Sequence, residues 1–182
     1  MLMAKICPSN LLVLVFLFVC FTACNKAEQK TEQKTIQHNI PIKVAIIYSL
    51  GGAQAVARED FYLLNKDAIQ IWKQGGLMND VKIGDSTMSG EKLFKIYFMA
   101  DRINVIDNKK PSKYFEPLKP HVVKTVTTDF EGDATFESVP EGNYFIYGVT
   151  ETRGGYAVWS YQVSTNENKT VLLDNKNASY SW

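Results

Sequence analysis

Residues 122–149, VVKTVTTDFEGDATFESVPEGNYFIYGV, constrain the fold more than any other stretch of the chain. Val122, Lys124, Val126 and Thr128 share one face of an extended chain, and Val123, Thr125 and Thr127 share the other. After a polar turn at 129–133, Ala134 and Phe136 share a face. A second turn, Pro140-Glu141-Gly142-Asn143, leads into a segment where Tyr144, Ile146 and Gly148 oppose Phe145, Tyr147 and Val149. A period of two among β-branched and aromatic residues, broken by Gly and Pro, is what half-buried antiparallel strands require, because successive side chains leave opposite faces of a sheet.

The same rhythm continues to the end of the chain. Arg153-Gly154-Gly155 makes a third turn before 156–164, in which Ala157, Trp159, Tyr161 and Val163 share a face. Residues 165–168 turn the chain into 169–173, and 174–178 close it. Short strands at regular spacing predict a sandwich or barrel. The arrangement Thr127-Thr128-Asp129-x-x-Gly132-x-Ala134-x-Phe136-x-x-Val139-Pro140-x-Gly142-x-Tyr144 resembles the carboxypeptidase regulatory-like, or transthyretin-like (prealbumin-like), β-sandwich domain. The resemblance covers 122–178, with residues 42–48 as a further candidate strand. It implies a hairpin in which Asp and Gly shape the turn, Phe packs between sheets and Pro-x-Gly starts the next core strand. It implies no activity, since such modules are usually non-catalytic and one fold hosts many functions.

The first half is less regular. In residues 40–50, Ile42, Val44, Ile46 and Tyr48 share the buried face of a strand that Gly51-Gly52 ends. Residues 61–64 read as a short strand, with Asn65 as N-cap of a helix whose Ala68, Ile69, Ile71 and Trp72 form a core stripe stopped by Gly75-Gly76. Residues 75–90 read as a polar connection. Leu93, Ile96, Tyr97, Ala100 and Ile103 stand at helical spacing, although LFKIYFMA also suits a buried strand. Residues 114–121 include one helical turn. The expected architecture is therefore mainly β, an antiparallel sandwich over 40–182 with a helical insertion at about 53–120.

The beginning of the chain speaks to location. Lys5 and the apolar block 11–23 fit a secretory signal, because a membrane span needs roughly 20 apolar residues. Phe21-Thr22-Ala23-Cys24 resembles the bacterial lipobox, with Phe where Leu is usual. That resemblance implies cleavage after residue 23 and acylation of Cys24, hence a membrane anchor and palmitate. An uncleaved anchor or an ordinary secretory signal is the alternative, and each also exports the domain. Of the three cysteines, Cys7 and Cys20 would leave with the leader, so no intramolecular disulfide is expected. The same resemblance implies an outer membrane rather than an inner one, because Asn25 stands where Asp would mark inner-membrane retention. Residues 24–39 contain a tandem Glu-Gln-Lys-Thr and no apolar face, so they read as a disordered tether that includes a solvated His38. Fully extended, it reaches roughly 50 Å.

Chemistry is sparse. A formal charge of +1 offers no basic surface for nucleic acid. Asp129, Glu131 and Asp133 alternate but lack a calcium loop's ligand series, so they read as turn residues. His121, the other histidine, reads as structural rather than as a base, and no nucleophile elbow is present. No catalytic residue, cofactor or metal site is therefore expected. The functional expectation is a lipid-anchored envelope protein used for structure or protein contact. One rival is a glycan- or peptidoglycan-binding module, with Arg153, Tyr156, Trp159 and Tyr161 as contact residues. Another is a hydrolase built on two convergent carboxylates. Burial in the core is the competing role for the aromatics.

Overall fold

The computed structural model describes residues 36–108, 112–153 and 155–182, with backbone alone over 103–108. The leader, Cys24 and most of the tether lie outside the described residues. Two sheets pack face to face, and a layer of helices covers the outer face of the larger one.

Strand β1 (Gln37–Ile47) is the spine of the smaller sheet. β7 (Asp133–Pro140) runs antiparallel beside its first part, and β2 (Ala53–Ala55) takes over at residues 45–47. Along residues 42–44 β1 also pairs with β10 (Val171–Leu173), in parallel. The larger sheet is antiparallel in the order β11 (Tyr180–Ser181), β9 (Gly155–Ser164), β8 (Asn143–Thr152), β3 (Asp60–Leu64), β6 (Val122–Thr127). Helix α1 (Ala68–Gln74), helix α2 (Gly90–Asn108) and a 3₁₀ helix (Glu116–His121) lie with the larger sheet's outer face, and β4 (Val81–Ile83) and β5 (Ser86–Met88) form a separate hairpin. The chain is an antiparallel β-sandwich with one parallel pairing. Among the described residues no helix is long and apolar enough to cross a membrane.

The period of two sorts β8 and β9 as the sequence predicts. Tyr144 and Ile146, with Ala157, Trp159 and Val163, enter the inter-sheet core beside Ile42, Val44, Phe61, Leu63 and Phe136. Tyr147, Val149, Tyr156 and Val158 face the helices and pack with Trp72, Phe94, Phe98, Tyr114 and Leu118. Each Leu, Ile or Phe so enclosed contributes about 1.5–3 kcal/mol. Gly148 belongs to the inter-sheet face, where a Cβ would stand 2.1 Å from the Phe61 ring. The ring occupies the room that the missing side chain leaves.

Several expectations need correction. Residues 122–140 are not a hairpin: β6 pairs with β3 in one sheet and β7 with β1 in the other, so the 129–133 turn crosses between layers. Residues 53–64 are not insertion, because β3 lies inside the larger sheet between β8 and β6, and its Phe61 and Leu63 need the inter-sheet core. The first strand starts at Gln37, not Ile40, which takes three tether residues into the sheet; His38 pairs with Val139 and is half-buried rather than solvated. The α1 cap is Asp67, whose Oδ1 accepts the Ile69 N–H at 2.9 Å, not Asn65. Asn65 instead binds His121, side chain to side chain at 3.0 Å and with its N–H donating to the His121 carbonyl at 3.0 Å. Residues 75–90 hold the β4–β5 hairpin. Residues 90–108 are helical, which resolves the helix-or-strand ambiguity there.

Candidate functional site

Strand directions set the two ends of the sandwich. The described chain enters at Gln37, beside Pro140. The far end of β1 leads to the turn at 48–52, and the same end gathers the 56–59 connection, the 129–133 turn and the tip of the β8–β9 hairpin. Loops project from this end because β1, β6 and β8 finish there and β2, β3, β7 and β9 begin there.

Two of these loops are locally determined. In the first, the Tyr48 N–H donates to the Gly52 carbonyl at 3.1 Å, and Gly51 and Gly52 adopt φ of +88° and +97°. Leu50 at its tip is 98% exposed. In the second, Asp129 Oδ1 accepts the N–H groups of Glu131 and Asp133 at 2.8 and 2.9 Å. These bonds hold the Asp129 carboxyl below the usual carboxylate range. Gly132 has φ of +78°, and a Cβ there would stand 2.3 Å from the Val44 carbonyl oxygen. Asp133 pairs with Lys43 at 2.7 Å. The carboxylates of Asp129 and Asp133 are thus used by the turn and by an ion pair. No group of three His, Cys, Asp or Glu able to hold a metal occurs among the described residues.

A recess of about 210 Å³ opens at this end, lined by Ile46, Tyr48, Gln54, Val56, Glu59 and Thr150, with Ala55, Ala57 and Glu151 completing it. Its surface is mostly polar. Glu59 is held by Thr128, whose hydroxyl accepts the Glu59 N–H at 3.1 Å and whose own N–H donates to the Glu59 carbonyl at 3.0 Å. Loss of water pushes the Glu59 carboxyl up, against the opposing charge of Arg102. The Tyr48 hydroxyl donates to Gln54 Oε1 at 2.6 Å.

The residues expected to make contacts part company. Arg153 stays exposed, its guanidinium 4.5 Å above the Tyr48 ring beside the recess. Trp159 is fully buried, its indole N–H donating to the Asp174 carbonyl at 2.9 Å. Tyr156 is buried against the helices, on the other face of β9. Tyr161 is half-buried against the inter-sheet core. An exposed stacking face built from Tyr156, Trp159 and Tyr161 is therefore corrected: the sheet consumes these rings as core. Sequence reasoning missed Tyr48, Gln54, Glu59 and Thr150. One signal was present, since Thr150 continues the inward face of Tyr144, Ile146 and Gly148, where a polar residue is unexpected.

No family model matches the chain, and no curated protein does. Among solved structures, a proposed carbohydrate-binding protein of Pseudomonas aeruginosa aligns at 15% identity and a TM-score of 0.40, over 78% of this chain and 90% of that one. The major pilin subunit of Bacillus cereus aligns at 14% and 0.28, over 74% of this chain and 28% of the pilin. The pilus backbone of Streptococcus pneumoniae aligns at 11% and 0.32, over 75% of this chain and 40% of the pilus protein.

Proposed function

We propose that this chain is a lipid-anchored envelope protein, fixed through Cys24 and carried by a short tether, whose non-catalytic sandwich binds a partner through its loop end. The observation that carries this reading is directional. The chain enters the sandwich at one end of β1, and the exposed loops, Arg153 and the polar recess stand at the other. The connection to the tether is made at the Gln37 end, so the loop end carries no link to the tether and is open to a partner. Partner contact there suits envelope proteins or glycans. The spacing of Asp129, Gly132, Phe136, Pro140 and Tyr144 supports a transthyretin-like ancestry for the sandwich.

A fatty-acid analogue fed to cells should label the wild type and leave Cys24→Ser unlabelled; equal labelling removes the anchor. For the loop end, a photo-crosslinker placed at Leu50 or Arg153 should capture an envelope component, and one at Glu141, at the opposite end, should not. Capture only at Glu141 overturns the assignment. The hydrolase reading has one point in its favour, since Glu59 and Glu151 both line the recess. Strand alternation, however, puts Glu151 on the opposite face of β8 from Thr150. Release of reducing ends from envelope glycans, abolished by Glu59→Gln, would establish the hydrolase in place of the binding module.

A further inference from the structure

Among the described residues the two most exposed large apolar side chains are Leu50, at 98%, and Phe130, at 72%. Both stand on loop tips at the same end of the sandwich. The tips are neighbours because β1 leads into the first loop, and its Val44 N–H donates to the Gly132 carbonyl of the second at 2.8 Å. The Arg58 guanidinium lies 4.4 Å over the Phe130 ring, and Arg58 itself has φ of +60°, a conformation uncommon for a residue with a side chain. Apolar groups held in water by a strained neighbour mark an interaction surface.

A receiving surface lies elsewhere on the same chain. Between the β4–β5 hairpin and the start of α2 runs a groove of about 470 Å³, more apolar than polar, lined by Ile83, Ser86, Thr87, Met88, Ser89 and Lys92. That volume falls within the roughly 300–1,000 Å³ of ligand pockets, room for two side chains. Lys92 is in the first turn of α2, and it is Arg102, about 15 Å further along the helix axis, whose charge acts on Glu59 at the loop end. One chain therefore presents tips and groove at separate places, and a contact between them joins two copies.

The charges match as well. Beside Phe130 stand Arg58 and Glu131, and beside Ile83 stand Asp85 and Lys92. All four are exposed, and none is within ion-pair distance of an opposite charge among the described residues. A formal charge of +1 leaves little repulsion between copies.

We infer that the loop tips of one copy dock into the β4–β5 groove of a second copy, head to tail. Phe130 and Leu50 enter against Ile83 and Met88, Glu131 pairs with Lys92, and Arg58 pairs with Asp85. Two tips in one groove make a small interface, so association is weak in solution and gains from copies held on one membrane. This deepens the loop-end reading, naming a second copy as the partner, and rests on it.

The test puts a photo-crosslinking phenylalanine analogue in place of Phe130 in the full chain, in cells that also express a differently tagged copy. Crosslinks should join the two tags and map to residues 83–92 of the receiving copy. In that copy Lys92→Glu should lower the yield about threefold and Ile83→Asp about tenfold. The same substitutions in the crosslinking copy should leave the yield undiminished. Glu131→Lys in the crosslinking copy should lower the yield against the wild type and restore it against Lys92→Glu. These positions are exposed, and unchanged melting temperatures check that each variant is folded. No crosslink between the tags, equal loss whichever copy carries Ile83→Asp, or a charge swap that fails to restore overturns the head-to-tail contact. If position 130 captures other envelope components instead, this inference falls and the loop-end reading stands. If it captures nothing, and crosslinkers at Leu50 and Arg153 capture nothing either, both fall.

Discussion

The larger sheet has two faces, and they are built differently. The inter-sheet face is filled by strands that alternate in sequence: Ile42, Val44 and Ile46 on β1, Tyr144 and Ile146 on β8, Ala157, Trp159 and Val163 on β9. The outer face is filled largely by aromatics from elements scattered along the chain. Trp72 of α1 packs with Phe94 of α2 at 5.0 Å between ring centroids, and Phe94 and Phe98 each lie 5.2 Å from Tyr114. Trp72 also donates its indole N–H to the Tyr114 carbonyl at 2.8 Å. The first core is closed by sheet geometry, so its members are dictated by register. The second is closed by side chains reaching from helices, so it depends on a few large rings and their polar ties. Desolvation there pushes the Tyr114 hydroxyl up to about 12 and the Tyr147 hydroxyl higher still.

That contrast can be broken most directly at the two tryptophans. Trp159→Ala should cost about 3–5 kcal/mol in urea unfolding and loosen both sheets together. Trp72→Ala should cost a similar amount at its own site, but faster amide exchange should stay within α1, α2 and the 3₁₀ helix. If Trp72→Ala opens the sheets as fully as Trp159→Ala does, the two faces are one cooperative unit and the distinction fails.

A smaller effect comes from adding volume. Gly148→Ala should cost about 1–3 kcal/mol, because the new methyl displaces the Phe61 ring from the inter-sheet core. An unchanged unfolding midpoint would mean that this core repacks freely, contrary to the register argument.

Smaller again is the tie between layers at the start of α1. Asp67 caps the helix and accepts from the Ser160 hydroxyl of β9 at 2.7 Å, and Ser160 accepts the Ala68 N–H at 3.0 Å. Asp67→Ala should cost about 1 kcal/mol. A double-mutant cycle with Ser160→Ala should show coupling, and additive losses would mean that the cap works without the strand.

The smallest effects are in pH dependence, and their signs are opposite at two loop-end carboxyls. The Asp129 pKa is lowered in the folded state, by its bonds from Asp133 and Glu131, so its contribution exists above the unfolded value and fades as pH falls through the folded one. Asp129→Asn should flatten the acid limb of the stability profile. The Glu59 pKa is raised by desolvation, so it costs stability above its folded value, and that cost is relieved as pH falls through that value toward the unfolded one. Glu59→Gln should therefore stabilise the protein at neutral pH. A loss there would show that Glu59 is held by something stronger than its dehydration.

The sequence by itself determined the faces of β1, β8 and β9, the turns at 129–133 and 140–143, and the apolar stripe of α1, because these depend on local period and, at Gly132, on the backbone freedom of a single residue. It also placed Arg153 at an exposed hairpin tip. Only the tertiary structure decided that β6 and β7 part into different sheets, that β3 sits between β8 and β6, and that β10 runs parallel to β1. Pairing joins residues far apart in the chain, and alternation alone does not say which strand lies next to which. The recess has the same origin. Tyr48, Gln54, Glu59 and Thr150 have no common motif, and they meet because the end of β1, the 54–59 segment and the end of β8 come together at one end of the sandwich.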